Sequence, residues 1–105
     1  MTAETYLSQL VGREILTVSG RPNHVLAVEG PEVVVGTRRS PNGQRVPIAA
    51  VQHGLDLLQR DGEVTVDVAT LGYRSAFVGA VLLTLPNAVL VHSSPPRIRL
   101  RVEDG

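Results

Sequence analysis

The chain has 105 residues, 43% of them hydrophobic, and its ten arginines balance ten acidic residues with no lysine present. This length and composition are typical of one globular domain and exclude a disordered chain. Zero net charge excludes a protein that coats nucleic acid by charge alone, and the absence of cysteine excludes disulfides and thiolate metal sites. No apolar run reaches the ~18 residues of a membrane span, and the first residues do not resemble a signal peptide. We therefore expect a soluble, cytoplasmic domain without a cofactor.

The first third of the chain predicts a short helix followed by three strands. Apolar residues at helical spacing indicate a helix over 1–12, which Gly12 ends. Runs with β-type composition follow at 14–18, 24–28 and 32–36, separated by turn-forming segments. These strands favour a small antiparallel meander.

The middle of the chain predicts a polar loop and then an amphipathic helix. Residues 37–45 contain three arginines around a Ser-Pro-Asn-Gly turn, so we expect an exposed, mobile loop. Pro47 suits the first turn of a helix that runs to about Gln59, with its apolar residues on one face.

The last part of the chain alternates short elements of both kinds. A strand is predicted over 63–66, a short helical turn capped by Asp67 over 68–71, and a strongly apolar helix over 76–85. Two strands follow, over 88–92 and 97–103. In the second, Arg97, Arg99 and Arg101 alternate with Ile98, Leu100 and Val102, which predicts one apolar face and one solvent-facing ladder of arginines. The overall class is α+β, with a small antiparallel sheet and two or three helices.

Catalytic residues do not stand out in this sequence. Ser75, His24 or His53, and Asp67 contain the atoms of a catalytic triad, but no nucleophile-elbow sequence surrounds the serine. The histidines lack the spacing of a zinc site. We therefore interpret the protein as a non-catalytic domain.

Three segments have a composition suited to nucleic acid. The first is the loop 37–45, where Arg38, Arg39, Asn42 and Arg45 supply phosphate donors and no acid is present. A solvated hairpin loop explains the same composition.

The second segment opens the last predicted helix. The free N–H groups of a helix start favour anions, and Tyr73, Arg74 and Ser75 add donors at that place. The alternative is a plain Ser75 N-cap with Tyr73 as a hydrophobic staple.

The third segment is the loop 19–24, which carries Arg21, Asn23 and His24. Arginine and asparagine are the side chains that contact guanine and adenine edges. The alternative is a simple turn in which Gly20 takes a positive φ angle.

The order of these features resembles a module at the N-terminus of actinobacterial modification-dependent HNH restriction endonucleases. The resemblance covers residues 12–86 and rests on "GRP" in the third segment, "VPI" before the first long helix, "DGEV", and "GYRSAFVGAVLLTLP". It implies a winged-helix-like fold that binds double-stranded DNA, with Arg21, Arg38, Arg39, Arg74 and Ser75 approaching the DNA. No HNH pattern is present in this sequence, so the nuclease would be a further domain or a partner chain.

The sequence thus predicts a DNA-binding domain over 1–92, followed by a terminal turn and strand, or a linker, over 93–105. Its function would be to bind double-stranded DNA, including modified DNA, within a restriction or defence protein. The few aromatic residues, Tyr6, Tyr73 and Phe77, argue against a cage of stacked aromatics around a flipped base. The competing function is a protein interaction or oligomerisation domain, in which a homodimer pairs through edge strands 33–35 and 98–102.

Overall fold

Four consecutive strands form an antiparallel meander in the order β1-β2-β3-β4. The computed structural model describes residues 1–101. In it, β1 is Glu14–Leu16, β2 is Pro22–Glu29, β3 is Glu32–Gly36 and β4 is Gln44–Pro47. The predicted three-stranded meander is confirmed, and β4 is an additional strand.

The strand β4 corrects the prediction of a loop over the whole of 37–45. Its residues pair with β3, with Val46 opposite Val33 and Gln44 opposite Val35. Only Val46 turns into the core, at 2% exposure. The four residues of β4 bury only one side chain, so their hydrophobic alternation is too weak to predict a strand from the sequence. The strand forms because it pairs with β3.

Two helices pack beside this sheet. The first, α1 (Ala3–Leu10), buries Leu7 and Leu10, and the second, α2 (Ile48–Asp61), begins directly after Pro47. Gly62 ends α2 in the left-handed conformation, with φ of 73°, and its N–H bonds to the Leu58 carbonyl. Such a glycine is a common helix terminator because it has no side chain to clash there.

The second half of the chain has the element order of a winged helix. After α2 come β5 (Glu63–Thr65), α3 (Val68–Leu71), α4 (Ser75–Leu83), β6 (Ala88–Val91) and β7 (Arg97–Leu100). The last strand lies in the middle of an antiparallel sheet of order β5-β7-β6. The predicted α+β, winged-helix-like class is therefore confirmed, with four helices in the described residues where two or three were predicted.

The position of β7 overturns the predicted dimer edges. Ile98 is fully buried and pairs with strands on both sides, and β3 likewise lies between β2 and β4. Neither strand has a free edge for a second copy. The alternation over 97–101 is as predicted, because Arg97, Arg99 and Arg101 are exposed, while Val102 and the rest of 102–105 lie outside the described residues.

The helix α4 lies in the interior between the two sheets. All residues from Phe77 to Leu82 are buried, and the helix packs against α2, the second sheet and β1. Gly54 on α2 is essential to this packing, because a Cβ built there would lie 2.6 Å from a methyl group of Val78 on α4. Only the first turn of α4 is accessible to a ligand. Within residues 1–101, no helix is long and apolar enough to cross a membrane.

Candidate nucleic-acid interface

An open cleft of about 780 Å³ brings together parts of the three segments that the sequence singled out. Its walls are the β1–β2 loop, the loop between β3 and β4, the strand β4, and the start of α4. Residues far apart in the chain therefore face one volume. We call this volume the arginine cleft, after the four arginines that line it: Arg21, Arg38, Arg39 and Arg74.

The arginine cleft concentrates positive charge in a chain whose net charge is zero. Among the described residues no aspartate or glutamate lines it, and none of the ion pairs found in residues 1–101 involves its four arginines. Arg21, Arg38 and Arg39 are exposed and Arg74 is half-buried. A concave surface lined by one sign of charge attracts anions from solution.

Arginines elsewhere on the surface form ion pairs with acidic residues. Arg45 lies 3.0 Å from Glu29 and 3.5 Å from Glu32, and it does not line the cleft. Arg60 donates two hydrogen bonds to Asp61, and these bonds lower the pKa of the Asp61 carboxyl. The whole chain is thus neutral although, within residues 1–101, the arginines of the cleft have no acidic partner.

The first wall is a tight turn built on Thr17. The Thr17 hydroxyl accepts a hydrogen bond from the Arg21 N–H, and the Thr17 carbonyl accepts one from Gly20, whose φ is 83°. The predicted glycine turn is thus confirmed, and it presents Arg21 to the cleft. Asn23 also lines the cleft but is only 7% exposed, with its amide donating to the Pro22 carbonyl.

The second wall is the segment from Thr37 to Gly43, which is folded around Ser40. The Ser40 N–H bonds to the Thr37 hydroxyl, and the Ser40 carbonyl accepts from the N–H groups of Thr37 and Gly43. Arg38 and Arg39 project from this closed turn. Asn42 is exposed on the same turn but does not line the cleft.

The third wall is the junction of α3 and α4. Asp67 caps α3 by accepting from the Thr70 N–H at 2.8 Å, as predicted. The N-cap of α4, however, is Arg74, and Ser75 is its first helical residue without a side-chain cap bond. The prediction of a Ser75 N-cap is therefore wrong, and Ser75 does not line the cleft.

A chain of side-chain contacts joins the second and third walls. Arg74 Nη1 donates to Gln44 Oε1 at 2.7 Å, and Gln44 Nε2 donates to Ser40 Oγ at 3.1 Å. The Arg74 guanidinium also lies 4.7 Å from the centre of the Tyr73 ring, within the range of a cation–π contact. Gln44 was not among the predicted site residues, because its strand was not predicted.

The remaining predicted residue, His24, lies beside the cleft rather than in it. Its ring is half exposed, sits 3.4 Å from Glu14, and lines a shallower depression on the outer face of the first sheet. The buried residues that line the arginine cleft are Val35, Val46 and Phe77, which sequence reasoning missed, together with Thr17 and Asn23. We call the three apolar residues the floor of the cleft. The floor brings residues of β3, β4 and α4 to one cleft, so it depends on the tertiary fold.

Comparisons of the chain with protein-family models, with characterised proteins and with solved structures found no match.

Proposed function

We propose that this domain binds double-stranded DNA through the arginine cleft, without catalysing a reaction, as the recognition part of a restriction or defence protein. This proposal is based mainly on one observation: four arginines line the same cleft, and no acidic residue of the described chain lines it. These arginines are Arg21, Arg38, Arg39 and Arg74. Arginine is the preferred donor for phosphate because its planar fork makes paired hydrogen bonds.

The arginines lie on the walls of the cleft and apolar residues form its floor. This arrangement supports phosphate contacts at the rim and contacts to a base or a modification deeper in the cleft. The three exposed arginines of the cleft, Arg21, Arg38 and Arg39, lie on turns, where they can follow a phosphate backbone. The apolar floor of Val35, Val46 and Phe77 supplies the kind of surface that distinguishes an added methyl or thio group from a hydrogen-bonding one. The resemblance to restriction endonuclease modules supports the same assignment.

The buried state of α4 sets this proposal apart from the usual helix-in-groove geometry. In helix-turn-helix proteins the second helix lies in the major groove and presents its side chains to bases. Here that helix is buried from Phe77 to Leu82, so only its first turn and the neighbouring loops face the DNA.

The test is a salt-dependent binding panel on short duplexes that are unmodified, methylated, hydroxymethylated or phosphorothioated. We expect binding that weakens with salt, with a slope of roughly three to four phosphate contacts, and a tighter complex with one modified duplex. Absence of binding to every duplex at low salt, together with a concentration-dependent mass, would instead support an oligomerisation domain.

A further inference from the structure

We infer that the arginine cleft receives one nucleotide turned out of the DNA duplex, with its base against the floor and Tyr73. This inference rests on the proposed function, because it names the form of DNA that the cleft takes. It is based on the volume of the cleft, its apolar floor, the exposed ring of Tyr73 and the arginines around the rim.

The volume of the cleft can hold a projecting nucleotide. A regular duplex keeps its bases stacked inside and offers the cleft only its backbone and the groove edges of its bases. The volume of about 780 Å³ lies within the ~300–1,000 Å³ that sites for small organic molecules occupy, which is ample for one nucleoside. A projecting nucleotide is the part of DNA that fills such a space.

The chemistry of the floor is the second argument. Val35, Val46 and Phe77 provide apolar surface, and the two buried polar residues that line the cleft, Thr17 and Asn23, already make hydrogen bonds within the protein. The floor therefore suits the flat face of a base better than it suits a phosphate or a sugar hydroxyl.

The placement of Tyr73 is the third argument. Tyr73 is the most exposed large hydrophobic residue in the described chain, at 82% exposure, and the Arg74 guanidinium lies over one face of its ring. The rest of the ring is open to solvent beside the cleft. Base–aromatic stacking is a principal source of affinity for unpaired nucleotides and tolerates any base.

The charges at the rim complete the site. A nucleotide that leaves the stack keeps its two flanking phosphates at the surface, and each needs a donor. Arg21 stands on one wall, Arg38 and Arg39 on the second, and Arg74 on the third, so cationic groups surround the cleft. The structure thus brings two of the three aromatic residues, Tyr73 and Phe77, to one cleft. In our proposal the base stacks on Tyr73 alone, so the site is not a closed cage of aromatic rings.

The experiment compares a fully paired duplex, the same duplex with one bulged nucleotide, and the single strand. Because an unpaired base no longer has to be extracted from the stack, we expect the bulged duplex to bind at least about tenfold more tightly than the paired one. Equal affinity for the two duplexes would overturn the inference and leave DNA binding intact. Tighter binding of the single strand than of the bulged duplex would also overturn it. No binding to any of the three would overturn the proposed function itself.

Substitutions at Ala76 and Tyr73 locate the nucleotide. Ala76 is exposed and lines the cleft, so Ala76→Trp fills the space without disturbing the core, whereas Ala49→Trp on the exposed side of α2 is the matched control. We expect Ala76→Trp to weaken binding of the bulged duplex more than binding of the paired duplex, so that the preference for the bulge is lost, and Ala49→Trp to keep both affinities. Tyr73→Ala should reduce the preference severalfold and Tyr73→Phe should retain it. A folded Ala76→Trp protein with an unchanged preference would place the nucleotide elsewhere and overturn the inference.

Discussion

Arg74 at the start of α4 donates a 2.7 Å hydrogen bond to Gln44 of β4, thirty residues earlier in the chain. The bond fixes the guanidinium at the rim of the arginine cleft, where it also lies over the Tyr73 ring. Gln44 is in turn held by the amide-to-hydroxyl bond to Ser40. A neutral acceptor in this position orients Arg74 without cancelling its charge.

Replacing Gln44, the neutral acceptor, by a charged residue should weaken the binding of DNA without lowering the stability of the fold. Gln44→Glu places a carboxylate against Arg74, so we expect a melting temperature that does not fall, a weaker affinity for DNA, and a salt slope reduced by about one unit. Gln44→Ala keeps the charge of Arg74 and should weaken binding less. Calorimetry and fluorescence anisotropy over a salt series measure both quantities. A Gln44→Glu variant with the parental affinity would show that Arg74 does not contact DNA.

Removing Arg74 itself should cost about 1–3 kcal/mol of binding free energy, the range for a charge-assisted contact. Folding should be little affected because the side chain is at the surface of the cleft and Gln44 can hydrogen-bond water instead. Arg45→Ala is the matched control, since Arg45 pairs with Glu29 and Glu32 outside the cleft. Titration of both variants with duplex DNA tests this, and equal effects of the two substitutions would contradict it.

The turn that carries Arg38 and Arg39 is expected to supply backbone contacts. The double variant Arg38→Ala, Arg39→Ala should weaken binding to all duplexes alike and flatten the salt slope by roughly two units. Arg99→Ala with Arg101→Ala removes the same charge from two exposed side chains, in and just after β7, that do not line the cleft. If this control pair lowered the slope as much, Arg99 and Arg101 would form part of the interface.

The contact between α2 and α4 makes Gly54 intolerant of a side chain. Alanine in place of glycine normally stabilises a helix by roughly 0.5–1 kcal/mol, but here the new methyl group would lie 2.6 Å from Val78. Gly54→Ala should therefore destabilise the fold by about 1–3 kcal/mol. Adding Val78→Ala should make the double variant more stable than the sum of the two single effects predicts. Chemical denaturation of the four proteins completes the cycle, and simple additivity would argue against the contact.

The central position of β7 predicts that the end of the chain is required for folding. Ile98→Ala removes a fully buried side chain and should cost about 2–5 kcal/mol of stability. Arg99→Ala on the same strand should cost little, because Arg99 is exposed. Thermal unfolding of both variants measures the difference. A small loss for Ile98→Ala would mean that the second sheet does not depend on its middle strand.

The sequence alone determined most of the local structure of this protein. Periodicity and turn residues predicted the three strands of the meander, the helix α2, the Asp67 cap and the alternation of Arg97, Ile98 and Arg99, because each depends on neighbours a few residues apart. The basic composition of the loops around Arg21 and Arg38 was also evident, since it needs no partner to be seen.

Only the tertiary structure decided which of those residues share a site. Arg21, Arg38 and Arg74 meet because the β1–β2 loop, the β3–β4 loop and the start of α4 line one cleft, and no local pattern encodes that arrangement. The tertiary fold also buries α4, pairs Arg45 with two glutamates and makes Gln44 the partner of Arg74. The fourth strand was likewise set by its pairing with β3, and the middle position of β7 by its pairing with β5, which lies far earlier in the chain. Contacts at long sequence separation arise from the whole core, so they are invisible to any window of the sequence.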